Sequence, residues 1–549
     1  MDGEETEGLS AHSREVARGS FWSLFGSILI KLVSFVYLIL IARAASQDDV
    51  GLFYLSLSIV SIVTVFSDVG IANALLRYVP YFEARNEDGK AKSLLNWSYV
   101  ILAFTGVVLT ALLWWQADSI GAIYHSAVLP DAIRLISGYI LLNNIFRLHF
   151  TYLQARADIR SSQYVQNLQN VFKLALTALL FWFYGASVIT LTAAFLLSYL
   201  LTITVSWLRW PVVRWSTGDS ASLSRDELLR EIAPVGIMIA VVQSLSVILS
   251  SADRLMLGYL ANPSQAIAMV AVYSMATTLS SVLLVFPGAI GSIFLPVVSR
   301  LAGKNDLGRM RAIMETAQRW SLFVTLPFAI VLMSFPAEIL RVFYGSGYTG
   351  GAAALAIFTF GLVLLTISYV TSLALAAMRL VRLELNISAV MCVVNVLLNI
   401  LLIPPFGIEG AAVASAASFA IGTLLLWYYG RARLGFSFAP EIWRLLAAGA
   451  LVFAVLWVAD PLVSSLSSLL PQAGAGAVEA YLLKFLYLLC LAVLVFLSML
   501  LFMGCALLLK CFRREDISLM RSVMRRAAAP QYLISLAEKV ASYGVSARE

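Results

Sequence analysis

The chain has 549 residues, of which 60% are hydrophobic and only 13% charged, with a mean hydropathy of +0.87 and a net charge of +7. A soluble domain of ordinary composition carries about a quarter charged residues, so a water-soluble enzyme is excluded and the bilayer is the solvent of this chain. No basic soluble domain and no base-readout motif is present, which leaves nucleic acid without a case as a partner.

The N-terminal tail, 1–19, is acidic and polar and lacks the basic start and small-residue cleavage site of a signal peptide. Apolar runs then follow one another. A hydrocarbon core about 30 Å thick needs about 20 apolar residues per helix. Hydropathy predicts spans near 20–42, 50–75, 95–116, 133–153, 164–184, 187–208, 232–259, 266–298, 318–337, 352–376, 385–403, 409–429, 444–460 and 481–509. The expected fold is an all-α polytopic membrane protein with about fourteen transmembrane helices.

With both termini cytoplasmic, the outer connections hold only Arg43, Arg134, Arg254 and Arg341. Lys31, Lys173 and Lys484 fall within spans, and all other Lys and Arg lie inside. This is the positive-inside pattern over short loops. It places the chain in the cytoplasmic membrane with an even number of spans. The largest connections, near 77–94, 209–231 and 299–317, leave no room for a soluble catalytic domain. The tail 510–549 is basic, and Ile517, Met520, Val523 and Met524 recur at helical spacing. It reads as an amphipathic helix on anionic lipid, or more plainly as a solvated basic tail. Cys392, Cys490, Cys505 and Cys511 lack metal spacing and read as packing residues.

The chain also repeats itself. Leu153-Gln-Ala-Arg-Ala-Asp-Ile-Arg160 precedes an apolar helix ending at Gly185, and Leu375-Ala-Ala-Met-Arg-Leu-Val-Arg382 precedes one ending at Gly407. Arg160 to Arg382 and Gly185 to Gly407 are both 222 residues apart. The expected organisation is a six-helix bundle at 20–208, a linker at 209–231, a second bundle at 232–429, and two further helices within 444–509. Both copies start on the same side, so a parallel pseudo-two-fold along the membrane normal is expected. Transporters of this build place their cavity between such halves.

The segments Arg43-Ala-Ala-Ser-Gln-Asp-Asp-Val-Gly-Leu-Phe53, Asp253-Arg-Leu-Met-Leu-Gly-Tyr-Leu260, Leu295-Pro-Val-Val-Ser-Arg300, Phe343-Tyr-Gly-Ser-Gly-Tyr348 and Pro405-Phe-Gly-Ile-Glu-Gly-Ala-Ala412 stand at spacings typical of polysaccharide flippases. Over about residues 14–440 the chain resembles the oligosaccharide flippase branch of the multidrug/oligosaccharidyl-lipid/polysaccharide exporter superfamily. The resemblance implies two six-helix bundles around a central cavity and translocation of a polyprenyl-pyrophosphate-linked glycan. Membrane lipids, and glycosyltransferases or a polymerase of the same pathway, are the further partners it implies. The two extra C-terminal helices resemble the lipid II flippase branch.

Charge inside a span costs a few kcal/mol and asks for a purpose. Lys31 lies in the first helix and Lys173 in the fifth. Gln163, Gln166, Asn167, Asn170, Lys173 and Thr177 advance by three or four residues and form one polar stripe. That stripe is expected to face water or the cavity, with Lys173 as a compact cation for phosphate. Its plainer alternative is a lysine that snorkels to a headgroup. Arg77 and Arg147, with His149 beside the latter, sit at inner helix ends, where they would meet a pyrophosphate or simply anchor the helix. Asp68 and Asp253 are candidates for ion coupling; Asp253 alternatively receives a bond from a neighbouring helix. Asn395 and Asn399, one turn apart, read as interhelical hydrogen-bonding residues.

No catalytic motif, cofactor or metal site is expected. There is no Walker sequence, and the three His, at 12, 125 and 149, lack ligand spacing. The alternatives to a lipid-linked oligosaccharide flippase are a drug or metabolite antiporter of the same superfamily and a membrane glycosyltransferase. The first wants an intramembrane acid, whereas this chain offers two lysines against Asp68 and Asp253. The second wants a large outer loop with catalytic acids.

Overall fold

The computed structural model describes residues 26, 29–68, 70–210, 233–378, 380–436, 438–468 and 477–513, together with 516, 521, 535, 539 and 543. The N-terminal tail, the linker 211–232 and nearly all of the expected amphipathic C-terminal helix lie outside these residues.

Among the described residues the regular structure is helical. In chain order the helices are α1 (29–44), α2 (Gln47–Asp68), α3 (Ile71–Ala84), α4 (Asp88–Ile123), α5 (Leu129–Ile136), α6 (Gly138–Ala155), α7 (Ile159–Tyr184), α8 (Val188–Arg209) and α9 (Ala233–Leu260). There follow α10 (Ala266–Ser280), α11 (Val285–Gly303), α12 (Leu307–Ser334), α13 (Pro336–Phe343), α14 (Ala352–Ala377), α15 (Val381–Leu434), α16 (Pro440–Ser468) and α17 (Ala477–Leu508). Eight helical stretches among the described residues are long and apolar enough to cross a membrane. The protein is a multi-pass membrane protein. By packing, the chain forms two compact units, one of residues 1–275 with 392–411, the other of 276–391 with 412–549.

Local sequence fixes the helix ends. Asp158 caps α7 by accepting from the Ser161 amide at 3.0 Å, and Gly185 ends the helix at φ 77°. Ser187 and Thr190 close a capping box at the start of α8. The Asp49 carboxylate accepts from the Val188 amide at 2.7 Å, so Asp49 serves the start of α8. The spans 385–403 and 409–429 form one helical stretch, α15, broken only at Gly407, whose φ of 56° and ψ of −124° are open to glycine.

In the first unit, α3 packs on α4 and α6 through Leu75, Val79, Phe82, Leu94, Leu95, Leu102 and Leu148. The expected span 50–75 is interrupted between α2 and α3, where Gly70 adopts φ 79°. Side chains take up groups freed at this break. Asp68 accepts from the Ala72 amide at 3.2 Å, and the Ser67 carbonyl accepts from Thr105 Oγ1 at 3.0 Å. Ser67 Oγ donates to Asn144 Oδ1 at 2.8 Å, and Asn144 Nδ2 donates to the Leu102 carbonyl at 2.9 Å. Backbone groups released inside a membrane helix are tolerated only when resatisfied in this way.

The second unit repeats the device. α10 gives way to a 3-10 turn, Ser281–Leu284, before α11. Ser280 Oγ, just before the turn, shares a 2.9 Å hydrogen bond with Thr359 Oγ1.

The second unit also holds the two C-terminal helices, with α16 and α17 packed on α12. A charged clasp fastens the segment after α17 to them. Arg319 and Asp516, 3% and 5% exposed, pair at 3.1 Å. Trp320 Nε1 donates to the same carboxylate at 3.0 Å. Arg513 spans Glu441 at 2.9 Å and Glu315 at 3.0 Å. Burial works against the Arg513 charge, but its hydrogen bonds to Glu441 and Glu315 outweigh that and hold its pKa above the usual arginine value. Phe323 packs on Phe502 and Phe512 beside the clasp. At the start of the tail, Arg513 and Asp516 thus have protein partners. Cys392 and Cys511 are buried, as packing residues would be.

Candidate functional site

The first unit brings the polar stripe of α7 against α1. Gly26 lies close against the stripe, where an added Cβ would collide with the Gln163 side chain and come within 3.2 Å of Asn167. Asn167 Nδ2 donates to the Gln163 carbonyl at 2.8 Å, and Asn170 Nδ2 to the Gln166 carbonyl at 3.0 Å. Each amide nitrogen is thereby turned onto its own helix, leaving the amide oxygen for other partners. Asn170 Oδ1 accepts from Lys173 Nζ at 3.1 Å and from Ser34 Oγ of α1 at 3.3 Å. Lys173 Nζ also lies over the ring of Tyr37, 4.6 Å from its centroid. Gln169, not among the expected site residues, donates to Ser198 of α8 at 3.2 Å.

Among the described residues, the helices packed on this lysine carry no carboxylate. α7 packs on α1, α6 and α8. The ranges 29–44, Gly138–Ala155, Ile159–Tyr184 and Val188–Arg209 contain no Asp or Glu. The lysine is partly buried, and its contacts are an amide oxygen and an aromatic face. Lys31 is exposed on α1 one turn before Ser34, the residue that touches Asn170.

Arg147 and Asp68 meet. Their side chains pair at 3.2 Å, with the carboxylate buried and the guanidinium 38% exposed. Arg147 further donates to Gln243 of α9 at 3.0 Å. Arg147 thus makes a contact joining α6, α2 and α9. Asp68 caps α3 as well, so its carboxylate already has two protein partners. Arg77 is exposed on α3, its guanidinium 5.6 Å from the Tyr78 ring. His149 is buried on α6, and neither ring nitrogen has a hydrogen-bond partner among the described residues.

The second buried acid has a different setting. Asp253 of α9 is 3% exposed. Its Oδ1 accepts from Asn395 at 3.0 Å and Asn399 at 2.8 Å, and its Oδ2 accepts from Tyr273 at 2.5 Å. Asn395 and Asn399, expected to hydrogen-bond between helices, do so, and their acceptor is this carboxylate. Arg254, the next residue, turns away toward Ser58 and the Tyr54 ring. These three donors are neutral, and the acceptor is a buried acid where the α1–α7 seam presents a lysine.

A helical membrane chain with a partly buried lysine at one seam and a buried acid at another has the build of a membrane transport protein. The family model described as "Polysaccharide biosynthesis protein" matches residues 40–353, more than half of the chain. The chain belongs to that family.

An uncharacterized membrane protein of Methanocaldococcus jannaschii is 23% identical over 432 residues, covering 76% of this chain and 84% of its own length. The protein named "Probable low-salt glycan biosynthesis flippase Agl15" of Haloferax volcanii is 29% identical over 160 residues, covering 29% of this chain and 34% of its own length. In fold the chain resembles the lipid II flippase MurJ in an inward closed conformation, with a TM-score of 0.62, 16% identity, and coverage of 88% of this chain and 97% of that one.

Proposed function

We propose that the protein is a flippase that moves a polyprenyl-pyrophosphate-linked oligosaccharide across the cytoplasmic membrane for surface glycan synthesis, and that it is not an enzyme. The two six-helix halves, 20–208 and 232–429, alternate access to a cavity while the polyprenyl chain stays in lipid. One observation carries the choice of an anionic cargo. Lys173 sits deep in α7, held by an amide oxygen and a ring, with no carboxylate on the helices packed around it. A cation in that setting meets an anion at little cost, because no ion pair has to break first. Lys31, one turn from the same seam, adds a second charge on the approach. Arg147, still partly exposed beside Asp68, is the contact nearer the cytoplasmic end, and Arg77 lies on the same side. Asn167, Asn170 and Gln166 supply amides for sugar hydroxyls. The breaks after Asp68 and at Ser281–Leu284 give each half a helix able to bend. The family match and the glycan-flippase name of a relative support the same reading.

The test is glycan rescue in a strain that depends on this gene. Wild type restores surface glycan; Lys31→Ala/Lys173→Ala, at equal abundance in the membrane, does not. Normal glycan with the double variant returns both lysines to snorkelling.

Asp253 is the ion-coupling group in this proposal. Its carboxylate accepts hydrogen bonds from Tyr273, Asn395 and Asn399, and it is the group proposed to take up a proton or monovalent cation. Asp253→Asn keeps the shape and removes the charge. Transport by this variant is expected to lose its dependence on an imposed ion gradient while thermal stability in detergent holds. Unchanged gradient dependence would leave Asp253 as a structural hydrogen-bond acceptor.

A further inference from the structure

The setting of Tyr37 assigns a role to a residue that the sequence shows only as one aromatic in an apolar run. The inference rests on reading Lys173 as the contact for the anionic head group. We propose that Tyr37 is the positioning residue of that contact: its ring face, with Asn170 Oδ1, holds the Lys173 ammonium charged and aimed at the α1–α7 seam, and the ring stays on the ammonium when a phosphate binds.

Three observations carry it. Tyr37 is 4% exposed, and its hydroxyl has no hydrogen-bond partner among the described residues. A buried hydroxyl left unpaired is unfavourable, so the hydroxyl is not what holds a tyrosine there; the ring face is what meets a partner. That partner is Lys173 Nζ at 4.6 Å, within the range where an ammonium is drawn to the negative face of an aromatic ring. The third observation is the orientation of Asn170. Its nitrogen is committed to the Gln166 carbonyl, so its oxygen is fixed toward Lys173 and Ser34.

The cradle is therefore built of neutral groups. A carboxylate in the place of Tyr37 would hold the ammonium more tightly, but it would neutralise it and compete with an incoming phosphate. A ring and an amide oxygen stabilise the charge and leave it unneutralised. The other titratable or charged side chains on the helices around Lys173 are Lys31 and Arg43 on α1, Tyr139, Arg147, His149 and Tyr152 on α6, Arg160, Tyr164 and Tyr184 on α7, and Tyr199 and Arg209 on α8.

The experiment keeps the shape of the ring and changes only its charge distribution. Phenylalanine and its mono-, di- and trifluoro analogues are placed at position 37 in full-length protein made in a cell-free system with liposomes. Translocation of a polyprenyl-pyrophosphate-linked oligosaccharide is then measured against its concentration. With Tyr37→Phe as the reference, the half-saturating concentration is expected to climb stepwise with fluorine, by about ten-fold over the series. The maximal rate per molecule stays nearly constant. In a Lys173→Ala background the series is expected to be flat. A flat series beside an intact Lys173 overturns the role of Tyr37, because a ring that only fills space is indifferent to its face. If Lys173→Ala itself transports as wild type does, the reading of Lys173 as the anion contact fails instead.

Discussion

Replacing Lys173 by Ala is expected to cut glycan export at least ten-fold, with the protein still abundant and inserted. The size follows from what is lost. A hydrogen bond to a charged group contributes about 1.5–3 kcal/mol, which is roughly a ten- to hundred-fold change in rate or affinity. Folding should suffer little, since no ion pair is broken and Asn170 keeps its bonds to Gln166 and Ser34. Lys173→Arg should restore part of the export, because the charge is kept and its geometry changes. Lys173→Gln should not, because it offers polarity without charge. Surface glycan and membrane abundance are measured on the same cells. Export by Lys173→Gln equal to that by Lys173→Arg would show that charge is not the requirement.

The second large effect is on stability, at the clasp of the second unit. Arg319→Leu leaves the Asp516 carboxylate buried with Trp320 and a backbone amide but without its cation. Breaking one side of a buried pair costs about 3–5 kcal/mol. A thermal scan in detergent should show the midpoint falling by several degrees. The double variant Arg319→Leu/Asp516→Leu should recover much of that loss, since an apolar pair of similar volume is often neutral or better. A double variant as unstable as the sum of the two singles would mean the two residues do not act as a pair. The clasp gives the tail a fixed start: Arg513 holds α12 and α16 together through Glu315 and Glu441.

Much of this was legible in the sequence for a physical reason. A span announces itself by length and hydropathy, and a helix face by spacing of three and four. The stripe Gln163, Gln166, Asn167, Asn170, Lys173 was visible because polar groups in an apolar helix have no other explanation than a partner. What it faces was not. Tyr37 sits in an uninterrupted apolar run and looks like filler until its ring is seen under the lysine. Asp68 and Arg147 lie on different helices, as do Asp253 and Asn399, and one-dimensional spacing carries no information on such pairs. The break at Gly70 was hidden because hydropathy runs through it; only the positive φ and the side chains that receive the freed groups mark it. The clasp was not legible for a related reason. A run of arginines after the last span is ordinarily a lipid contact, and the acids that hold Arg513 lie far back in the chain at Glu315 and Glu441.

The central claim is that this protein carries an anionic, lipid-linked glycan across a bilayer. Its most direct measurement uses purified full-length protein in liposomes loaded with a fluorescent polyprenyl-pyrophosphate oligosaccharide, with an impermeant reagent that destroys the label in the outer leaflet only. Without protein, about half of the label should be protected, as a symmetric bilayer requires. With wild-type protein, nearly all of it should become accessible within minutes, and the Lys31→Ala/Lys173→Ala variant should leave the protected half intact. Protection that stays at one half with folded wild-type protein, under every imposed ion gradient, would contradict the account.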